Sequence, residues 1–411
     1  MNLLPAAGPP PSGTPPPAGV QAFAPVRLGD LSPSALQGML DSRADYKKTI
    51  FADSIHELEQ DATLADLPAC QSPQDLTSGT CLITPEMKRE MQAARPGKAP
   101  AAPVLAAPAA EKPADKTVAA APTAPPAAAP IPAPVVAGSA AAARPAAELP
   151  AALLHLGTPR IKVANLPQIV RKVALVIGVN RYSDPEIPQL SNAVGDAQAI
   201  GRIFESHLGY ESIVLENPSK QTVVAALNQL ALALEPKDSV VVYYAGHGQL
   251  VDSTGLGYWL LSDSDAKRPQ SWLSNTDIGR LTKQFDASQV ALISDSCYSG
   301  SLVGQRIRAT PGAIDPQQVL SRRSVVVMSS GGNEPVADAG KDGHSPFAWN
   351  LMNNLGQLSK WQPGGNVFER VRFAVARALP QRPQYGAFGA AGDQGGGDYL
   401  FEQRQLESAP Q

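Results

Sequence analysis

Beyond residue 170 the chain alternates short apolar runs with longer stretches whose apolar positions recur three and four apart. KVALVIGV is continuously apolar over strand length, the pattern of a strand covered on both faces. SNAVGDAQAIGRIFESHL follows, with Val194, Ala197, Ile200, Phe204 and Leu208 on one helical stripe. YESIVLE then reads as a strand and TVVAALNQLALAL as a helix. SVVVYYAGHG is a strand, and SNTDIGRLTKQF a helix with Ser274 or Asn275 as its cap. QVALISDSC and SVVVMSS are strands, SPFAWNLMNNL and FERVRFAVARAL are helices, and DYLFE is a last short strand. This alternation predicts an α/β layered fold over residues 169–403, with a mostly parallel sheet covered on both faces.

The pattern is absent before that point. Residues 1–27 are Pro, Ala and Gly with little charge, a composition that predicts disorder. Residues 28–95 predict a small helical module. Ser32-Pro33 and Thr84-Pro85 each place a capping residue before proline at the first helical position, and the first leads into a long helical run ending near Gln60. Residues 96–168 are Ala/Pro-rich, a linker with polyproline character, and residues 404–411 form a tail.

Composition narrows the function classes. A net charge of −3 supplies no general field for nucleic acid or an anionic membrane. No apolar run reaches the length of a membrane-spanning helix. The start, MNLLPAAGPPPSG, lacks the basic and apolar regions of a secretory signal, so either the protein stays inside the cell or the numbering begins after a removed leader. Of three cysteines, Cys70 and Cys81 are close neighbours; they form either a disulfide or two free thiols. Neither has metal-ligand company, so no metal site is expected there.

Chemistry gathers at two strand ends. In parallel α/β sheets, ligands collect beyond the carboxyl ends of the strands. His247 follows VVVYYA and Cys297 follows ALIS, so neighbouring strands would bring the two side chains to one crevice. An imidazole can take the proton of a thiol that attacks an amide, then protonate the leaving amine. Gly246 and Gly248 leave room for a sharp bend, and the backbone N–H groups of Gly248 and Cys297 are candidate oxyanion donors.

YYAGHG followed by DSCYSG resembles the caspase-like cysteine peptidases, peptidase family C14, and among them the bacterial and metacaspase-type branch. The His lies about 50 residues before the Cys, as in caspases. KVALVIGVNRY, LSNAVGDA and VVVMSSGGNEPVAD extend the resemblance across about residues 170–402. It implies a caspase-like α/β/α sandwich around a six-stranded sheet and a catalytic dyad of His247 and Cys297. It also implies a pocket in which Asp196 and Asp295 bind Arg or Lys before the scissile bond. No cofactor is expected. Asp263, Asp265 and Asp277 fall near the loops that bind calcium in some metacaspases, but Gly304 stands where another carboxylate would be expected. The motif QAC of Asp-directed caspases is absent, Tyr298 replaces a common His, and Ala193 and Ala245 replace small polar pocket residues. These departures touch specificity rather than the dyad.

The expected partners are protein or peptide substrates. GQRIRATPGAIDPQQVLSRRS, with Arg306, Arg308, Arg322 and Arg323, and the Ala/Pro linker are candidate sites of self-cleavage. The competing readings are a caspase-like binding or scaffold module and another thiol hydrolase.

Overall fold

The computed structural model describes residues 67–94, 150–154, 166 and 168–404, except 252–255, 298, 304–314, 333–335 and 339. The helical run read between Ser32 and Gln60, the first Pro-rich segment, most of the linker and the tail lie outside the described residues.

Six strands form one sheet in the order β10-β8-β7-β3-β1-β2. They are β1 (Arg171–Gly178), β2 (Glu211–Glu216), β3 (Asp238–Ala245), β7 (Gln289–Asp295), β8 (Ser324–Ser329) and β10 (Gln384–Ala387). All pairings are parallel except that of β10 with β8. Every residue of β1, β3, β7 and β8 is buried. This accounts for their unbroken apolar runs: helices cover both faces, so neither face needs polar side chains.

The two-residue alternation survives as a division between two cores. Leu175, Val242, Leu292 and Val327 point to one face. Val176, Val241, Ile293 and Val326 point to the other. The first face packs against α4 (Lys220–Ala233) and α5 (Asn275–Lys283) through residues such as Leu227, Leu230, Ile278 and Leu281. The second packs against α3 (Ala193–Ser206), α7 (Pro346–Gly356) and α8 (Gly364–Ala378) through Phe204, Phe347, Leu351 and Val371. Ser274 caps α5 by accepting the amide of Asp277, which resolves the two capping candidates. Two further short helices among the described residues are α2 (Ala151–Leu154) and α6 (Pro316–Leu320).

The sixth strand of the main sheet is not among those read from the sequence. DYLFE does form a strand, β11 (Leu400–Phe401), but it pairs with β9 (Gln362–Pro363) in a separate ribbon. The main sheet is closed by QYGA, four residues between Pro383 and a glycine-rich turn. A short edge strand with a central glycine carries almost no periodic signal. A second small sheet, β4 (Gly248–Val251), β5 (Leu256–Trp259) and β6 (Leu273–Ser274), grows from the end of β3.

Cys70 and Cys81 are joined in a disulfide. The segment they close is followed by α1 (Pro85–Ala93), which Thr84 caps through the amide of Met87. Leu76, Leu82, Ile83 and Met87 enter the same core as α4. The Asn228 side chain on α4 donates to the carbonyl of Cys81 and accepts the amide of Ile83. Lys88 binds the carbonyl of Gln284 at the end of α5 and the carboxylate of Asp286. At Gly79, φ is +65° and an added Cβ would fall 1.8 Å from the carbonyl oxygen of Gln221, so only glycine fits.

Candidate active site

The carboxyl ends of β1, β3 and β7 are flush, because Gly178 pairs with Ala245 and Ala245 with Asp295. The chain leaves β1 toward β2 on one side, while β3 and β7 lie on the other. Such a switch of direction opens a crevice at the strand ends. His247 lies two residues beyond Ala245, and Cys297 two residues beyond Asp295. The two extensions stay together: the amide of Gly246 donates to the carbonyl of Asp295 at 3.4 Å. A Cβ on Gly248 would come within 2.1 Å of the Cys297 carbonyl oxygen.

His247 is 7 % exposed and held from several directions. Its amide donates to the hydroxyl of Tyr182 at 2.8 Å. Its carbonyl accepts from the hydroxyl of Tyr244 at 2.7 Å and the amide of Leu260 at 3.0 Å. Its Nε2 lies 2.8 Å from the carbonyl oxygen of Pro188. A carbonyl can only accept, so Nε2 carries a proton and Nδ1 is the acceptor nitrogen of the neutral ring. The ring of Tyr182 packs beside it at 5.0 Å between centroids. Cys297 is 8 % exposed, packs with Leu250 and Val336, and accepts the amide of Val336 on its sulfur at 3.4 Å.

Beside these strand ends is a small recess. Asp196, Asp295 and Asp338 line it, with Ala193, Ala245 and Ser345. Asp196 comes from the first turn of α3 and is only 1 % exposed. Asp295 is the last residue of β7. Burial, then the charge of Asp196, pushes the Asp295 carboxyl up to about 7. Burial also raises Asp196, against the opposing hydrogen bonds from His344 and Ser345. In return the bond to Asp196 raises the His344 imidazole.

Three residues here carry no clear sequence signal for the site. Asp338 lies in the loop after β8, where its carboxylate accepts the amide of Ser191. Ser345 looks from sequence like a helix cap. It is one, accepting the amide of Ala348 on α7, but its hydroxyl also donates to Asp295 and its amide to Asp196. His344 places Nδ1 2.6 Å from a carboxylate oxygen of Asp196. Tyr182 and Pro188 were similarly hidden in a polar loop. Tyr298 and Gly304 lie outside the described residues.

The carboxylates considered for calcium are engaged with protein groups. Asp263 accepts the amide of Lys220 at the start of α4. Asp265 pairs with Arg268, and Asp277 binds the amide of Leu67 and the side chain of Arg280. Among the described residues, no group of three or more His, Cys, Asp or Glu side chains is placed to hold an ion. No helix among them is long and apolar enough to cross a membrane.

An imidazole and a thiol thus follow adjacent strand ends, and an acidic recess lies beside those ends. The chain is similar to known proteins. A metacaspase-1 of Scheffersomyces stipitis is 25 % identical over 205 residues, 45 % of this chain and 46 % of the relative. A metacaspase-1 of Cryptococcus neoformans is 26 % identical over 179 residues, 39 % of each chain. The chain thus spans less than half the length of these curated relatives. The crystal structure of caspase-1 from Spodoptera frugiperda aligns with 56 % of this chain and 94 % of its own, at 13 % identity and a TM-score of 0.41. The family model described as the caspase domain matches residues 171–389, from the first residue of β1 to just past β10. Since that match takes in the whole six-stranded sheet and more than half of the chain, the protein belongs to the caspase-domain family, peptidase family C14.

Proposed function

We propose that this chain is a cysteine-type endopeptidase that cleaves after Arg or Lys using Cys297 and His247. The observation that carries this reading is the shared register of β3 and β7, which sets both residues at one end of the sheet beside Asp196 and Asp295.

His247 Nδ1 takes the thiol proton while Nε2–H stays on the Pro188 carbonyl. The sulfur forms a bond to the scissile carbonyl carbon, and its oxygen becomes an oxyanion. The backbone N–H groups of Gly248 and Cys297 receive that charge. As the C–N bond breaks, the leaving amine takes the proton from His247. Water then attacks the thioester, giving its proton to His247, and the thiol is regenerated as the acid product leaves. No metal or cofactor enters these steps. In the recess, Asp196 and Asp295 supply charge-assisted hydrogen bonds to a guanidinium or ammonium.

A panel of fluorogenic peptides that differ only in the residue before the scissile bond tests this reading. Turnover is expected after Arg and Lys and not after Asp. Cleavage after Asp with none after Arg overturns the pocket assignment. Rapid alkylation of Cys297 without turnover of any peptide favours a binding or scaffold module, or another thiol hydrolase.

Self-cleavage is part of the same proposal. Arg323 is a poor site, because its guanidinium donates to the carbonyls of Thr282, Phe285, Ala287 and Ala391. Arg322 is exposed, and Arg306 and Arg308 lie outside the described residues. Active protein is expected to show fragments absent from a Cys297→Ala variant. Identical intact masses would defeat the idea.

A further inference from the structure

The proposed chemistry leaves without a role one residue bound to a recess carboxylate, His344. His344 and Ser345 head α7 and together hold both pocket carboxylates: Ser345 reaches Asp196 and Asp295, and His344 reaches Asp196 alone. The His344 side chain is 23 % exposed while that of Asp196 is 1 % exposed, so the imidazole connects the buried carboxylate to solvent. A cap alone needs Ser345, not a histidine before it. With its proton the Asp196–His344 pair is electrically neutral; without it the pair carries one negative charge.

We infer that His344 determines specificity as the resident counter-cation of Asp196, which a basic substrate side chain replaces as the pair gives up its proton. This rests on the preference for Arg or Lys proposed above. A guanidinium beside a charged imidazolium in a buried recess meets like-charge repulsion. Beside a neutral imidazole it meets an available carboxylate. Substrate binding therefore expels the pair's proton, and affinity for a basic residue rises with pH.

The charges around His344 set the range. Asp196 and Arg202 face it from α3, and Asp342 from its own loop. Asp342 reinforces the proton and Arg202 weakens its hold. Asp338 and Asp295 act on Asp196 across the recess. Asp295 itself ionises at about 7, and its ionisation favours a basic residue with the same sign. A variant is needed to separate the two groups.

The test compares kcat/KM for two peptides, one with Arg and one with citrulline, its neutral isostere, across the pH range in wild type and His344→Lys. Both peptides use the same thiol and imidazole, so their ratio cancels the ionisation of the dyad. The wild-type Arg/citrulline ratio is expected to rise with pH. A permanent cation cannot be discharged, so His344→Lys is expected to lower the ratio at least about tenfold at about pH 8 and to converge with wild type at about pH 5.5. An unchanged ratio at the higher pH overturns the inference. A wild-type ratio near one at every pH overturns the basic preference itself, so the two failures are distinct.

If the variant turns over neither peptide, nitrogen NMR of the wild-type histidines with agmatine, which carries a guanidinium, decides. Agmatine is expected to convert His344 from its charged to its neutral form near neutral pH. Binding that leaves the charge of His344 unchanged, or no binding, overturns the inference.

Discussion

Gly248 packs against Cys297 so closely that a Cβ would lie 2.1 Å from the Cys297 carbonyl oxygen and 3.2 Å from its carbonyl carbon. Both contacts are to backbone, so no side-chain rotation relieves them. Gly248→Ala must push the two strand extensions apart and separate His247 from Cys297. Displacements of about 1 Å commonly cost about 100-fold in rate. A loss of kcat/KM of at least that size is expected, with an overpacking cost of about 1–3 kcal/mol. Peptide turnover and thermal unfolding measure the two effects, and wild-type turnover would contradict the close approach.

Asp295→Asn separates stability from function. The variant keeps an acceptor for the Ser345 hydroxyl but removes a buried charge. Because the folded carboxyl ionises at about 7 rather than in the usual carboxylate range, the native state holds a proton that the unfolded state has lost. Native stability therefore falls as pH rises from about 4 to 7, by up to about 4 kcal/mol at about 1.4 kcal/mol per unit. Melting curves are expected to show Asp295→Asn several degrees more stable than wild type at about pH 8 and little changed at about pH 4. Turnover of Arg peptides is expected to fall at least about tenfold relative to citrulline peptides. A variant less stable than wild type at the higher pH would contradict the buried charge.

The disulfide closes a loop of sequence separation 11 within the segment before α1, whose apolar side chains pack on the face of the sheet covered by α4 and α5. The recess lies by contrast against α3 and α7. Replacing both Cys70 and Cys81 by Ser is expected to cost about 2–4 kcal/mol of stability. Peptide turnover at a temperature well below melting should be retained. An unchanged melting temperature on reduction would show that the bond does not constrain this segment.

What the sequence revealed follows from the range of its signals. Runs such as VALISD and VVVYYA are legible because burial on both faces demands apolar side chains at every position. His247 and Cys297 stand out as candidates because glycine and small polar residues interrupt those runs. QYGA escaped because an edge strand of four residues with a glycine has too few positions to show a period. DYLFE reads as a strand and is one, yet its partner is fixed by tertiary packing. Asp196 resembles any first-turn acid on a helix; its burial depends on α7, some 150 residues later. His344 and Ser345 show the same limit, since a cap motif says nothing about which carboxylates it will meet.

The central claim is that Cys297 attacks substrate with His247 as its base beside a pocket for a basic residue. The most direct measurement uses a peptide ending in an arginyl acyloxymethyl ketone, with labelled sites mapped by mass spectrometry. Wild type should be labelled at Cys297 and inactivated in step. His247→Ala should react at least about 1,000-fold more slowly, and the matching aspartyl reagent should fail. Labelling of Cys297 at an undiminished rate in His247→Ala, or inactivation by the aspartyl reagent but not the arginyl one, would contradict it.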